Sequence, residues 1–183
     1  WMEIVITGGI FKGRKLFVPN NVKVRPTMSS VREAIFDSIG GRIINSAFLD
    51  LYAGFGTVGI EALSRGAGRV TFVDKSRVCV NTIRKNLETL DCLDRAEIYQ
   101  MTVESFIKGI DTKYDFIFLD PPYGLDCSDI IREILDKEIL ANSGIIIWET
   151  SVRSNINKES LNIVREKRYG ESLVLYIERD IIV

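Results

Sequence analysis

DLYAGFGTVG, residues 50–59, is the stretch whose reading decides the fold. Before it the run AFLDLYA is apolar and bears a single acid, as a buried strand would. After it TVGIEALSRGA carries apolar residues at helical spacing and closes at Gly66. The stretch is therefore a glycine-rich turn between a strand and a helix, and it contains GxGxxG. The next strand, RVTFVD, ends in Asp74, 18 residues after Gly56. Glycines that let the backbone approach a ligand, a helix N-terminus and an acid on the following strand are the pattern of a nucleoside site, with the acid on a ribose hydroxyl.

Outward from this turn the chain alternates strand and helix. A helix is expected from Ser76 to about Leu90, a strand at AEIYQ and a short helix at VESFIKG. YDFIFLD is a fourth strand, followed by a helix from about Ser128 to Leu135, and GIIIWE is a fifth strand. NIVREKRY and ESLVLYIE pair as a terminal hairpin. Strands apolar throughout, separated by amphipathic helices, imply a mostly parallel sheet covered on both faces, with an antiparallel edge from the hairpin. Upstream, EIVITGG and GRKLFVP read as two short strands around a turn. Ser30, three before Glu33, is a capping-box pattern for a helix through Val31, Ala34, Ile35 and Ile39 that stops at Gly40-Gly41.

Asp50 decides which nucleoside. NAD or FAD would bring a pyrophosphate to the helix N-terminus, where a carboxylate at the strand's end would oppose it. S-adenosylmethionine has no phosphate, and its ammonium and sulfonium are cationic. The chain also lacks a second domain for a hydride acceptor. S-adenosylmethionine is the expected cofactor.

A second motif supports it. FIFLDPPYG, residues 116–124, ends a buried strand with an acid, two prolines and a tyrosine. Ligands of doubly wound sheets collect at the carboxyl ends of strands. Pro121 and Pro122 fix φ and offer carbonyls without N–H groups. Asp120 and a Pro-Pro carbonyl then form two converging acceptors, matched to the two N–H donors of an exocyclic amine on a base. Tyr123 supplies a face on which an unstacked base can lie.

The totals set limits. The chain has 183 residues, 46% hydrophobic and 27% charged, room for one core. No apolar run approaches the ~20 residues of a membrane span. WMEIVITGG shows neither a basic leader nor a cleavage site, so a cytoplasmic protein is expected. Histidine is absent, which excludes Ser-His-Asp and Cys-His chemistry and makes a zinc site unexpected; no metal is called for. Cys79, Cys92 and Cys127 lack metal spacing and read as reduced thiols. Carbon-5 methylation of pyrimidines would need a cysteine nucleophile, and Cys127 lies past the motif. Net charge is -1, yet residues 1–42 hold seven cations against three acids. A basic end on an acidic body suggests an anionic partner.

Over nearly its whole length the sequence resembles the bacterial 16S rRNA guanine-N2 methyltransferase family, the RsmD family. The matching stretches are GGIFKGRKL, VRPTMSSVREAIFDSI, LDLYAGFGTVGIEALSRGA, VTFVDKS, FIFLDPPYG and RYGESLVLYIE. The DPPY and glycine-loop motifs are shared with many amino-methylating enzymes, whereas KGRKL with RPT…VREAIF is much more specific. The resemblance implies a class I methyltransferase fold: Rossmann-like α/β, a mostly parallel seven-stranded sheet and an antiparallel C-terminal edge strand. It implies an extension over residues 1–42 that contacts RNA and covers the cofactor site, with the methyltransferase domain at 43–183.

Methyl transfer to N2 of a guanine in 16S rRNA, free or in a small-subunit assembly particle, is the implied reaction, by a monomer. Asp120, Pro121, Pro122 and Tyr123 are the implied catalytic residues. Asp50, Tyr52, Gly54, Gly56, Asp74, Lys75, Thr102 and Asp120 are the implied cofactor residues. Lys12, Arg14, Lys15, Arg25 and Arg32 are the implied RNA contacts. Arg25 and Thr27 are alternatively read as closing the cofactor pocket. Thr102 stands where such enzymes often place Asp or Asn on the adenine amine, and Glu104 is the second candidate there. Phe55 stands where the loop usually has a small residue. A DNA adenine-N6 or cytosine-N4 methyltransferase, or a nucleotide-binding module without catalysis, is the alternative function.

Overall fold

A computed structural model describes residues 3–180. A seven-stranded sheet in the order β5-β4-β3-β6-β7-β9-β8 forms the body. Its strands are β3 (Ala47–Leu51), β4 (Arg69–Asp74), β5 (Ala96–Gln100), β6 (Tyr114–Leu119), β7 (Leu140–Ser151), β8 (Ile163–Tyr169) and β9 (Ser172–Ile177). The first five are parallel to one another, and the terminal hairpin is antiparallel. Within that hairpin the last strand, β9, lies inside against β7, and β8 forms the edge. Composition explains the order. β9 (SLVLYI) is buried over its last four residues, while β8 (IVREKRY) is exposed over five of seven and carries the charges that discourage edge pairing.

The sheet buries both faces. Helices α1 (Ser29–Ile39), α2 (Thr57–Ser64) and α3 (Arg77–Thr89) cover one, packing Phe36, Val58 and Ile83 around Phe48, Phe72, Phe118 and Ile147. Helices α4 (Val103–Gly109) and α5 (Ser128–Asp136) cover the other, where Phe106 and Ile131 join Leu49, Leu119 and Trp148. Burying one such aromatic or aliphatic side chain contributes about 1.5–3 kcal/mol. Strands β1 (Ile4–Val5) and β2 (Lys15–Leu16) pair as the expected hairpin. Residues 3–42 are not a separate body, because Ile4, Ile6, Leu16 and Ile35 belong to the same core as the sheet.

The capping box at Ser30 is not formed. Helix α1 starts at Ser29, Ser30 lies inside the first turn, and the cap position is Met28, which has no side-chain acceptor. The C-terminal end agrees with the expectation: Gly40 ends α1 at φ 59°, a left-handed value that suits glycine. Among the described residues no helix is long and apolar enough to cross a membrane.

Candidate active site

Register places four carboxylates on one edge. Asp50 of β3 is level with Phe72 of β4 and Phe118 of β6, and Phe118 is level with Ile147 of β7. Phe72, Phe118 and Ile147 point to the face covered by α1, α2 and α3. Two residues further on the same face returns, carrying Asp74, Asp120 and Glu149. Each of four neighbouring strands thus ends in an acid, and all four acids line one cleft of about 900 Å³. A nucleoside-sized ligand requires a volume of this order.

The cofactor half of the cleft is a backbone cradle. Asp74 accepts from Gly54 N at 2.9 Å and from Ser76 N at 2.8 Å, fixing the glycine loop to the start of α3. Tyr52 has φ 56°, Gly54 58° and Gly56 77°, so the loop crosses the left-handed region three times. Glycine tolerates this freely; at Tyr52 it is strain of the kind that collects at functional sites. A Cβ at Gly59 would lie 2.3 Å from the Phe72 ring, so the third glycine serves close helix–strand packing. Phe55 is turned into the core, 3% exposed, and leaves the cleft open.

Asp50 is 1% exposed and accepts from Gly59 N at 3.0 Å at the start of α2. Burial holds its carboxyl well above the usual carboxylate range. Lys75 stands exposed on the rim. Thr102 and Glu104 both line the cleft, but Thr102 Oγ1 is committed to Ser105 N at 3.2 Å and to Ser105 Oγ at 3.0 Å as the cap of α4. Glu104, in the first turn of α4, leaves its carboxylate open to the cleft.

The acceptor half is built around Asp120. Thr27 Oγ1 lies 3.1 Å from Asp120 Oδ2 and 3.2 Å from Glu149 Oε2, bridging two acids from neighbouring strands. Burial, then the neighbouring Glu149, pushes the Asp120 carboxyl up to about 8, against the pull of Thr27 and Arg25. Burial raises Glu149 as well. Pro122 O accepts from Leu125 N at 3.1 Å, whereas no donor within the described residues reaches Pro121 O. Pro121 is therefore the carbonyl that stays open beside Asp120. Tyr123 projects from the turn, 81% exposed. The Cys127 thiol is buried and pushed up to about 12 by that burial, unsuited to nucleophilic attack.

The cations divide. Arg25 and Thr27 line the cleft, and Lys12, Arg14 and Lys15 are exposed on the N-terminal hairpin outside it, Lys15 paired with Glu3 at 2.6 Å. Arg32 does not face solvent: it is 1% exposed, donates to Val5 O at 2.8 Å and lies 3.8 Å from Glu61. It is a buried tie between the hairpin and α2, which corrects its reading as an RNA contact. Its spacing carried the signal, since 32, 36 and 39 share the stripe of α1 that holds Phe36 and Ile39. Glu149 is a buried cleft acid for which the sequence offers no sign, since WETS at a strand end has no distinguishing pattern, and the exposed Glu171 also lines the cleft.

Comparison with known proteins gives a consistent picture. The family model described as conserved hypothetical protein 95 matches residues 4–178. The ribosomal RNA small subunit methyltransferase D of Haemophilus influenzae is 34% identical over 173 residues, covering 92% of this chain and 90% of that one. The solved structure of the Escherichia coli protein yhhF is 32% identical, with a TM-score of 0.85 over 97% of this chain and 99% of that one. An RNA methyltransferase from Salinibacter ruber, solved with S-adenosyl-L-homocysteine, shares the fold at a TM-score of 0.67 and 15% identity, covering 87% of this chain and 97% of that one.

Proposed function

The chain belongs to the RsmD family, described as conserved hypothetical protein 95, and on that premise we propose that it transfers a methyl group from S-adenosylmethionine to the N2 amine of a guanine in small-subunit rRNA. The observation that carries the reading is the end of β6. There a half-buried carboxylate, an open proline carbonyl and an exposed tyrosine converge on a cleft floored by a glycine loop and lined by acids. A cationic nucleoside fits that cleft, because Asp50, Asp120 and Glu149 lie together with Arg25 the cation that faces Asp120 and Glu149.

When bound, S-adenosylmethionine supplies the methyl group, its C–S bond breaking with the electron pair left on sulfur as the N2 lone pair forms the new C–N bond. Asp74, already held by Gly54 N and Ser76 N, offers its outer lone pairs to ribose hydroxyls. Glu104 takes the adenine amine, since Thr102 is occupied as a cap. Asp120, which the sulfonium's positive charge would favour in its ionised form, and Pro121 O accept the two N–H groups of the guanine amine, which turns its lone pair toward the methyl group. Asp120 then receives the proton that the amine gives up. Tyr123 stacks on the flipped base. Alignment and electrostatics suffice, because the methyl donor is already activated. Lys12, Arg14, Lys15 and Arg25 of the first 42 residues hold RNA phosphates, and Thr27 helps close the site.

Labelled methyl transfer to small-subunit rRNA and to small-subunit particles, followed by nucleoside analysis, tests the reading. N2-methylguanosine is the expected product. Label appearing only in another nucleoside, or only when DNA is offered in place of RNA, overturns it.

A further inference from the structure

The end of β7 contributes a carboxylate that the mechanism above leaves unused. Glu149 is 7% exposed, sits level with Asp120 on the neighbouring strand and lines the same cleft. A single hydroxyl, that of Thr27, stands 3.1 Å from one acid and 3.2 Å from the other. It has one proton to give, and with Ser172 beside Glu149 the two carboxyl groups still offer more lone pairs to the cleft than these hydroxyls can fill. A buried acceptor without a donor is costly. The pair is relieved by a ligand that brings two adjacent donors. The groups facing Glu149 are Thr27 and Arg25 from the segment before α1, Ser172 from β9 and Asp120 from β6. Arg25 is exposed, lines the cleft and makes no hydrogen bond to either acid among the described residues.

We propose that Glu149 accepts the N1–H of the guanine whose N2 amine is presented to Asp120, and so selects guanine among the amine-bearing bases; this rests on the methyltransferase reading above. Guanine carries N1–H directly beside its N2 amine, two donors on adjacent positions of one edge. In adenine the neighbour of the amine is the acceptor N1, and in cytosine it is the acceptor N3. Either base would set a lone pair against Glu149 and leave a buried acceptor unpaired. Sites that hydrogen-bond a substrate hydrogen reject analogues lacking it far more strongly than sites that only fit a shape. Thr27 is a positioning residue here, fixing the Glu149 carboxylate through Oγ1.

The probe is 2-aminopurine, which keeps the 2-amine but has an acceptor at N1. A synthetic rRNA fragment spanning the position that the wild-type chain labels is made with guanine or with 2-aminopurine there, and kcat/KM is measured for both. Glu149→Gln offers an amide N–H to an acceptor at N1, so the preference of the wild type for guanine should shrink by on the order of 10²-fold in the variant. Comparing variant with wild type cancels the different intrinsic reactivity of the two amines. Thr27→Val should narrow the same ratio by freeing Glu149, and it carries the test if Glu149→Gln does not fold. Titration with S-adenosylhomocysteine should be unchanged within a few-fold in Glu149→Gln. An unaltered guanine to 2-aminopurine ratio in a folded variant overturns the assignment alone. A wild-type chain that labels no guanine overturns the underlying reading, and the assignment with it.

Discussion

Two groups of buried charge flank helix α2, and they are built in opposite ways. At one, Glu61 is fully buried and saturated. It accepts from Thr7 N at 2.9 Å, Gly8 N at 3.0 Å and Arg65 Nε at 2.9 Å, with Arg32 at 3.8 Å. At the other, Asp50, Asp120 and Glu149 are acids beside acids, joined by one threonine hydroxyl and open to a cleft. Burial is costly in both. In the first, opposite charges stand side by side and close the N-terminal hairpin onto α2, so its role is the fold, although Arg32 Nε and Nη1 find no hydrogen-bond partner among the described residues. In the second, like charges stand side by side at an open cleft, so its role is binding and chemistry.

Asp120→Ala gives the largest expected effect and tests the contrast directly. Methyl transfer should fall by roughly 10³-fold or more, about 4 kcal/mol of transition-state stabilisation. Affinity for S-adenosylhomocysteine should stay within a few-fold, because Asp74 and the glycine loop are untouched. Melting temperature should hold or rise, since the cost of burying an acid beside Glu149 is gone. A thermal loss as large as that at the Glu61 cluster would erase the distinction.

That loss should be next in size. Glu61→Ala leaves Arg32 buried without its counter-charge, which costs about 3–5 kcal/mol. For a chain of this length the melting temperature should drop by roughly 6–20 °C. Denaturation scans measure it, and a change below about 1 kcal/mol would show that the hairpin is tied down by packing alone.

The two clusters also differ in how far the sequence revealed them. The glycine loop was legible because the left-handed conformations at Gly54 and Gly56 restrict residue choice locally. Asp120 was legible because two prolines follow it. Thr27 and its partners lie 93 and 122 positions apart in the chain, and only strand order brings them together. Glu149 therefore carried no local mark. Arg32 was misread for a related reason: a count of cations does not tell which one a helix turns inward. Ser30 was misread as a cap because Ser29 already begins the helix, and the hydroxyl just upstream, that of Thr27, is drawn into the carboxylate pair.

A pH titration sharpens the comparison at smaller scale. Asp120 is raised in the folded chain to about 8, above its ordinary value of 3.8. The folded state therefore binds a proton that the unfolded state has released. Its stabilising contribution is complete below about 4 and is lost as pH climbs through about 8. The slope from this one group is at most about 1.4 kcal/mol per pH unit. Urea unfolding between pH 5 and pH 9 should show stability declining, and Asp120→Asn should flatten the decline (the range is chosen to bracket the raised value). A decline that Asp120→Asn does not alter would remove Asp120 as its source.

The smallest effect concerns the cations of the same N-terminal segment that supplies Arg32. Arg32 is closed off, whereas Lys12 and Arg14 are exposed, and Lys15 lies exposed against Glu3 at 2.6 Å. If the open cations hold phosphates, each contact removed lowers the log–log salt slope of RNA binding by roughly 0.7–0.9. Lys12→Ala and Arg14→Ala should each show that change. Lys15→Ala should show less, because Glu3 already offsets its charge and is left unpaired when it goes. Melting temperature should hardly move in any of them, since exposed ion pairs contribute only about 0–1 kcal/mol. Filter binding of a small-subunit rRNA fragment at several salt concentrations gives the slopes. Equal slopes in wild type and all three variants would reduce the hairpin to a cover for the sheet. A smaller change at Lys15 than at Lys12 would extend the same distinction, between compensated and open charge, from the buried clusters to the surface.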